Sequence, residues 1–355
     1  MKLSGLRVFA AGSALLLAVL LVGGLSAARP ADSGYHLLKT YMFGAAPGST
    51  SEYYDYITVD PASRRVYLSR GSAVEVMDAD SGALVGYVSG FKRQHGVAIA
   101  ADLGRGFISD GTAAQVTIFD LKTLKTIGEA KSDPDTDCIV YDPATKRVFT
   151  MNGDSHNTTV IDAKTGMVIK TVDLIGSPEF AVADGKGMIY ANLANKSQVA
   201  AIDARTLEVK ARWPAAPSGN STALAMDREH RRLFSAGRNP QMLVILDADN
   251  GKVIQSFPIS GGTDAAAYDP ESKLIFVSTR DGNIHVFHED SPDQYSMVDT
   301  VKTQVGAKTM GLDSKTHRLF LDTSDFGTPP AATAERPNPQ PAAVLGSFRV
   351  LVYGK

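Results

Sequence analysis

Short apolar runs separated by polar turns recur along most of the chain, and this pattern favours strands over helices. A run with an aromatic residue near its centre, such as RVFT at residues 147–150, returns seven times. The aromatic residues lie 40, 42, 41, 44, 42 and 44 residues apart, at Tyr67, Phe107, Phe149, Tyr190, Phe234, Phe276 and Phe320. After residue 28, no segment long enough to form a helix shows apolar residues at the i, i+3, i+4, i+7 spacing of an amphipathic helix. The pattern predicts an all-β protein built from repeats.

Each copy contains four strand-like pieces. The first ends at Asp or Asp-Pro, which is turn chemistry, and the aromatic strand follows that turn. The third piece ends at an acidic residue such as Asp162, and a turn through Gly166 leads into the fourth piece at residues 168–172. Four antiparallel strands per repeat are typical of a propeller blade. The sequence therefore predicts a seven-bladed β-propeller.

The two ends of the chain predict how the ring closes. The seventh copy reaches its third strand at residues 348–353 and has no fourth strand after it. Residues 32–38, DSGYHLL, are similar to residues 80–85, DSGALV, which form the turn and fourth strand of the first copy. We expect this N-terminal strand to pair into the last blade, which leaves no open sheet edge. One propeller domain should then cover residues 29–355.

Residues 1–28 have the pattern of a secretory signal peptide. Lys2 and Arg7 precede an apolar run at residues 8–25. The small residues Ser26-Ala27-Ala28 follow the run and suit cleavage by a signal peptidase. The alternative is an uncleaved anchor, because an apolar run of 18 residues is just long enough to span a bilayer. We expect cleavage after Ala28, a periplasmic or secreted protein, and no membrane insertion after cleavage.

Composition narrows the partners and the chemistry. The 36 basic and 38 acidic residues nearly cancel, so no strong field favours nucleic acid. The single cysteine, Cys138, excludes an intramolecular disulfide and a zinc site built on several thiolates. GxSxG, P-loop and HExxH motifs are absent from the sequence. We expect a monomer whose partner is a small molecule or another exported protein.

The repeat resembles that of the YVTN-type, or YncE-like, β-propeller proteins. Residues 142–149, DPATKRVF, and 159–166, TVIDAKTG, carry the resemblance, which extends over residues 35–355. It implies an extracytoplasmic bacterial protein of a family mostly without an assigned reaction. The chain departs from the family repeat in the seventh copy, where about 20 extra residues separate the second and third strands.

The repeat also identifies residues that enter the central channel, which the first strand of each blade lines. The position 12 residues before each aromatic, or 11 in the shorter fourth copy, falls at the channel mouth. Its seven occupants are Asp55, His95, Asp137, Glu179, Thr222, Asp264 and Lys308, and all of them except Thr222 are ionisable. Composition alone would give about one or two of seven. We expect these residues to form a ligand-binding ring.

Three interpretations of this ring stay open. Four carboxylates, Asp55, Asp137, Glu179 and Asp264, could hold a divalent cation such as calcium, and their crowding would raise their pKa values. The ring could instead line a polar channel that binds a small ligand. It could also reflect only the preference of Asp and Thr for the turns before strands.

Two loop arginines and the insertion belong to the same face. Arg238 and Arg280 follow second strands and are the predicted anion contacts, because a guanidinium binds carboxylate or phosphate bidentately. The alternative is that each is a solvated loop charge. The Pro-rich insertion at residues 324–346 is predicted to be stiff. It is either a lid or docking strap over the mouth, or a strap along the outside of blades seven and one.

These features favour a non-enzymatic, exported binding module that recognises its ligand at the channel mouth. The alternative is a metal-dependent hydrolase of lactonase type, with the carboxylates holding the metal and His95 acting as base. A structural scaffold that uses the sides of the blades is a third possibility. Geometry discriminates among them, because the enzyme requires His95 and at least two carboxylates to converge, whereas a binding module requires only a polar funnel.

Overall fold

A computed structural model describes residue 1, residues 32–333, residue 337 and residues 339–355. The predicted signal segment, apart from Met1, lies outside these residues. Twenty-eight strands and two short 3-10 turns, Ala101–Leu103 and Ala194–Lys196, make up the regular structure of the described part. No helix in that part has the length and apolar character that a membrane span requires.

Consecutive strands form blades of four antiparallel strands. Strand β1 is His36–Met42, and blade one holds β2–β5 at Tyr54–Asp60, Arg65–Arg70, Ala73–Asp78 and Leu84–Ser89. Blade two holds β6–β9 at Gln94–Ala100, Arg105–Asp110, Gln115–Asp120 and Thr126–Lys131. Blade three holds β10–β13 at Thr136–Asp142, Arg147–Asn152, Asn157–Asp162 and Val168–Asp173. Blade four holds β14–β17 at Pro178–Ala183, Met188–Leu193, Gln198–Asp203 and Glu208–Pro214.

The last three blades repeat this plan. Blade five holds β18–β21 at Ser221–Asp227, Arg232–Arg238, Gln241–Asp247 and Val253–Pro258. Blade six holds β22–β25 at Thr263–Asp269, Leu274–Thr279, Asn283–Ser291 and Gln294–Lys302. Blade seven holds β26–β28 at Met310–Asp313, Arg318–Thr323 and Arg349–Gly354, with β1 as its outermost strand. The first strands β2, β6, β10, β14, β18, β22 and β26 contact one another in a closed ring.

The prediction of a seven-bladed propeller closed by the N-terminal strand is confirmed. Strand β1 pairs antiparallel with β28, with His36 opposite Gly354 and Met42 opposite Arg349. This pairing covers the strand edge that β28 would otherwise expose.

The hydrophobic core lies between the blades. The seven repeated aromatic residues are all buried, as their position in the second strand of each blade requires. Each core cluster joins neighbouring blades; one, for example, unites Phe149 of blade three with Ile189 of blade four. The fourth strands are mostly exposed, as in β13, where only Val172 is buried. Each blade therefore depends on its neighbours for burial, so closing the ring completes the core.

Candidate functional site

The seven ring residues occupy equivalent places at one end of the channel. Six of them are the second residue of a first strand, in β2, β6, β10, β14, β18 and β22, and Lys308 comes just before β26. In those six strands the pairing register shifts across this residue, which forms a bulge. A bulge redirects the side chain that it carries. The side chains of Asp55, His95, Asp137, Glu179, Asp264 and Lys308 line one cavity of about 150 Å³.

His95 is the point at which two carboxylates meet. Its Nδ1 lies 2.6 Å from Asp55 Oδ2 and 3.1 Å from Asp137 Oδ1. Because Nδ1 carries one hydrogen, it can donate to one of these oxygens, and Asp137 Oδ1 is left without a hydrogen-bond partner. The imidazole is 4% exposed, and Gly111 leaves room for it, since a Cβ there would lie 3.0 Å from Nε2.

The two carboxyl groups beside His95 differ in charge. Burial opposes ionisation of Asp55, but the Lys308 ammonium and His95 outweigh it and hold the pKa of Asp55 at about 2. Burial raises the pKa of Asp137 to about 8, and the nearby Asp55, Glu179 and Asp264 carboxylates act in the same direction. At neutral pH, Asp55 is therefore ionised and Asp137 holds a proton.

Cations engage the opposite side of the ring. Both Lys308 and Arg238 form ion pairs with Asp264, and Lys308 Nζ also lies 3.4 Å from Asp55 Oδ1. Arg238 Nε donates to the carbonyl of Thr263 at 3.0 Å. Both oxygens of Asp264 are thus engaged, and Arg238 uses Nε and one terminal nitrogen of its guanidinium for contacts within the ring.

The remaining ring residues have different roles. Burial raises the pKa of Glu179 to about 7, although Arg238 opposes this shift. Thr222 is buried and its hydroxyl donates to the carbonyl of Thr263 at 2.8 Å, so it ties two blades together and does not line the cavity. Asp55, His95 and Asp137 are the ring residues whose ligand atoms come close enough to share a metal ion, and Glu179 and Asp264 fall outside that group.

A second cavity of about 240 Å³ lies beside the first and shares Lys308 with it. The blade-seven insertion contributes Phe326, Gln340 and Pro341 to its wall, and Tyr53, Tyr54 and Val305 add further apolar surface. The two limbs of the insertion pair with each other, since Phe326 bridges Ala343 and Gly327 N donates to the carbonyl of Ala342 at 2.9 Å. This part of the insertion therefore lies at the mouth.

Arg280 is the charged residue of this second cavity that has no counter-charge. Its side chain is half-buried, and among the described residues its guanidinium has no ion pair or hydrogen bond. The other charged residues of the lining are paired: Lys308 with two carboxylates of the ring, and Glu52 with Arg70. Of the two arginines predicted to contact anions, Arg280 is therefore the one that remains available.

Sequence reasoning missed three residues of the mouth. Arg93 and Asp135 line the smaller cavity, each two residues before a ring residue. The Tyr53 hydroxyl lies 3.3 Å from both Asp55 Oδ2 and His95 Nδ1. The sequence could have indicated these residues, because an alignment of the repeat copies at the ring position also aligns the positions two residues earlier, where all three lie.

Comparisons with known proteins agree with the fold. No family model matches the chain. Antigen Lp49 of Leptospira interrogans is 25% identical over 252 residues, which cover 62% of this chain and 52% of that protein. The chain thus spans about half the length of this curated relative.

Two solved structures share the architecture. A chain of Kuenenia stuttgartiensis hydrazine synthase superposes with a TM-score of 0.66 at 15% identity, covering 78% of this chain and 96% of that chain. A chain of the mitotic checkpoint complex superposes with a TM-score of 0.67 at 15% identity, covering 95% of this chain and 98% of that chain. These likenesses concern the fold alone: by architecture the chain is a seven-bladed β-propeller.

Proposed function

We propose that this chain is a binding module that takes a small organic carboxylate at the channel mouth. The observation that carries this proposal is the Arg280 guanidinium, which is half-buried in a cavity with apolar walls and has no ion pair or hydrogen bond to the residues that the structure describes. A carboxylate would supply the missing counter-charge through two parallel hydrogen bonds, which is the strongest common contact of a guanidinium.

The walls of the cavity indicate what the carboxylate is attached to. The aromatic rings of Tyr53, Tyr54 and Phe326, together with Val305 and Pro341, favour an apolar body. A volume of about 240 Å³ lies below the range of drug-sized ligand sites, so the body is about as large as one aromatic ring or a short alkyl chain. We infer that the ligand is an aryl or short-chain alkyl monocarboxylate.

Gly306 lets the insertion form this wall. Its φ is +91°, and a Cβ there would lie 2.4 Å from the ring of Phe326. Alanine would strain the backbone and displace the aromatic ring. Gly306→Ala thus alters the wall without removing the charge of Arg280, whose carbonyl accepts a hydrogen bond from the Gly306 N–H at 2.7 Å.

Titration calorimetry with phenylacetate, 4-hydroxybenzoate and hexanoate tests the proposal, with phenylacetamide as the uncharged counterpart. Arg280→Gln should weaken carboxylate binding by about 10- to 100-fold, the usual worth of a charged hydrogen-bonded contact. Arg205→Gln is the matched control, because Arg205 is exposed in the turn between β16 and β17 and the variant changes the net charge equally. Equal affinities for phenylacetate and phenylacetamide, or no binding of any of the three acids, would contradict the proposal.

The convergence at His95 favours a second candidate, the metal-dependent hydrolase. Asp55, His95 and Asp137 offer one nitrogen and two oxygen ligands within reach of one ion. Calcium prefers six to eight oxygens, and the engagement of Asp264 by two cations takes that residue out of such a set. The donor set present fits an ion that accepts imidazole better than it fits calcium.

Elemental analysis of protein purified without chelator tests this candidate, with Asp137→Ala beside it. A stoichiometric divalent metal that disappears in the variant would support the hydrolase and justify assays on lactones and esters. The same metal content in both proteins would contradict a metal site at Asp137.

We also propose that the protein is exported and belongs to the YVTN-type propellers. The charged start, apolar run and small-residue cleavage site of residues 1–28 support export. Expression in a bacterial host, followed by cell fractionation and N-terminal sequencing, tests this. A periplasmic product that begins at Arg29 supports it, and a cytoplasmic product that retains residues 1–28 contradicts it.

A further inference from the structure

The face opposite the mouth carries a set of ion pairs between blades. At three of the seven blade boundaries, the residue before the second strand reaches the buried Asp at or just after the end of the preceding blade's first strand. Arg64 NH1 lies 2.6 Å from Asp313 Oδ2, and Arg231 NH1 lies 3.3 Å from Asp184 Oδ2. His317 Nδ1 similarly lies 2.7 Å from Asp269 Oδ2. In these three pairs a single buried carboxylate receives a basic partner.

The boundary between blades five and six departs from this rule. His230 Nδ1 lies 2.7 Å from Asp227 Oδ2 of its own blade and 3.0 Å from Glu289 Oε1 of blade six. Both carboxylates are 1% exposed, whereas the His230 side chain is 30% exposed. Two buried carboxylates therefore share one imidazole.

Glu289 is itself a break in the repeat. It follows His288 in β24, at a position that four other blades fill with small buried residues, Ala79, Ala163, Ala204 and Ala248, and that blade two fills with Leu121. An acidic side chain buried where the repeat uses alanine carries a desolvation cost that a packing role would not require.

The cluster of Asp227, His230 and Glu289 has too few hydrogen-bond donors for its carboxylate oxygens. The single hydrogen on His230 Nδ1 can serve one of the two carboxylates. Tyr268 donates its hydroxyl hydrogen to Glu289 Oε2, but Glu289 Oε1 is buried and has no hydrogen-bond donor. Even with a charged imidazole, the group would retain one net negative charge.

Among the described residues, neither neighbouring arginine forms an ion pair with Asp227 or Glu289, and Arg228 interacts with Asp227 only at longer range. The Arg232 guanidinium donates to the carbonyl of His230 and pairs with Asp247 and Asp293. The Arg228 guanidinium donates to the carbonyl of Ala183, across the boundary with blade four.

We propose that Asp227, His230 and Glu289 form a zinc site that ties blade five to blade six. Their three ligand atoms all lie within 4.8 Å of one another. One imidazole with two carboxylates is a donor set that zinc accepts, with a fourth position left for water. Zinc would balance the charges of both carboxylates and would bind Glu289 Oε1, which otherwise lacks a partner. It could enter from the side on which His230 is exposed to solvent. The site is independent of ligand binding at the mouth.

Zinc titration of the chelator-treated full chain tests the site. The titration uses Asp137→Asn as its background, so that the mouth cluster cannot supply a competing site. In this background we expect one zinc per chain, a rise in the thermal midpoint with zinc, and cobalt absorption bands of tetrahedral coordination. Adding Glu289→Ala, which restores the repeat residue, should weaken zinc binding at least about tenfold and abolish the rise in midpoint.

Two further variants keep the test decisive. Glu289→Gln preserves the shape of the side chain and should lose zinc as Glu289→Ala does, which excludes misfolding as the cause. His317→Ala removes the histidine at the boundary between blades six and seven, where it pairs with the single buried carboxylate of Asp269. This variant should leave the zinc affinity unchanged. Zinc binding that survives Glu289→Ala and Glu289→Gln, or the absence of zinc binding in the Asp137→Asn background, would overturn the proposal.

Discussion

The buried guanidinium of Arg70 anchors the C-terminal end of the insertion to blade one. The Arg70 side chain is 1% exposed and donates to Glu52 at 2.8 Å, to Glu75 at 3.3 Å and to the carbonyl of Gly44 at 2.7 Å. Its guanidinium also stacks 4.2 Å from the ring centre of Phe348. Glu52 in turn accepts a hydrogen bond from the backbone N–H of Gly346, at the end of the insertion.

Arg70→Met should destabilise the fold by about 3–5 kcal/mol, because it keeps the packing on Phe348 but removes the charge. The magnitude follows from burial: the Glu52 and Glu75 side chains are 1% and 3% exposed, so water cannot replace the guanidinium. The pKa of Glu75 is already raised by burial, with Arg70 opposing the shift. Without Arg70 the Glu75 carboxyl group should take up a proton more readily, so the loss of stability should shrink towards acid pH.

Urea unfolding followed by circular dichroism measures this loss. The triple variant that adds Glu52→Gln and Glu75→Gln should recover more than half of it, because it removes the uncompensated charges together with the guanidinium. A cost below about 1 kcal/mol for Arg70→Met, or a cost independent of pH, would refute the reasoning.

Three further predictions follow from the fold and the mouth. Phe149→Ala should cost about 3–5 kcal/mol in urea unfolding, because its ring is fully buried, and a cost near zero would contradict the interblade core. Deleting residues 32–42 should expose the edge of β28 and cause association in size-exclusion chromatography, whereas an unchanged elution volume and thermal midpoint would argue against ring closure by β1. Because the pKa of Asp137 is raised to about 8, the contribution of Asp137 to native stability should fall as pH rises from about 4 to about 8. Asp137→Asn should therefore raise the thermal midpoint at alkaline pH but not at acid pH, and a pH-independent difference would contradict the shift.

The repeat made the fold and the place of the ring predictable. Aligning the copies on the aromatic strand places Asp55, His95 and Asp137 at equivalent positions, and the structure gives each of them the same place in a first strand. Closure of the ring by the N-terminal strand was predictable for the same reason, because the N-terminal segment resembles the turn and fourth strand of the first copy.

The pairing of side chains within the mouth was not predictable. Arg238 and Arg280 occupy comparable loops, yet Arg238 pairs with Asp264, whereas Arg280 has no partner within the described part of the chain. This difference depends on side-chain directions after the bulges and on Lys308, and spacing along the chain encodes neither. The pairing of His230 with Glu289 of the next blade likewise appears only when the blades come together in the ring.

A crystal structure of the chain grown with phenylacetate tests the carboxylate site most directly. We predict the carboxylate on the Arg280 guanidinium and the aromatic ring between Tyr54 and Phe326, beside Lys308. An Arg280 side chain that pairs with a protein carboxylate, with the cavity closed or the ligand bound elsewhere, would contradict the proposal.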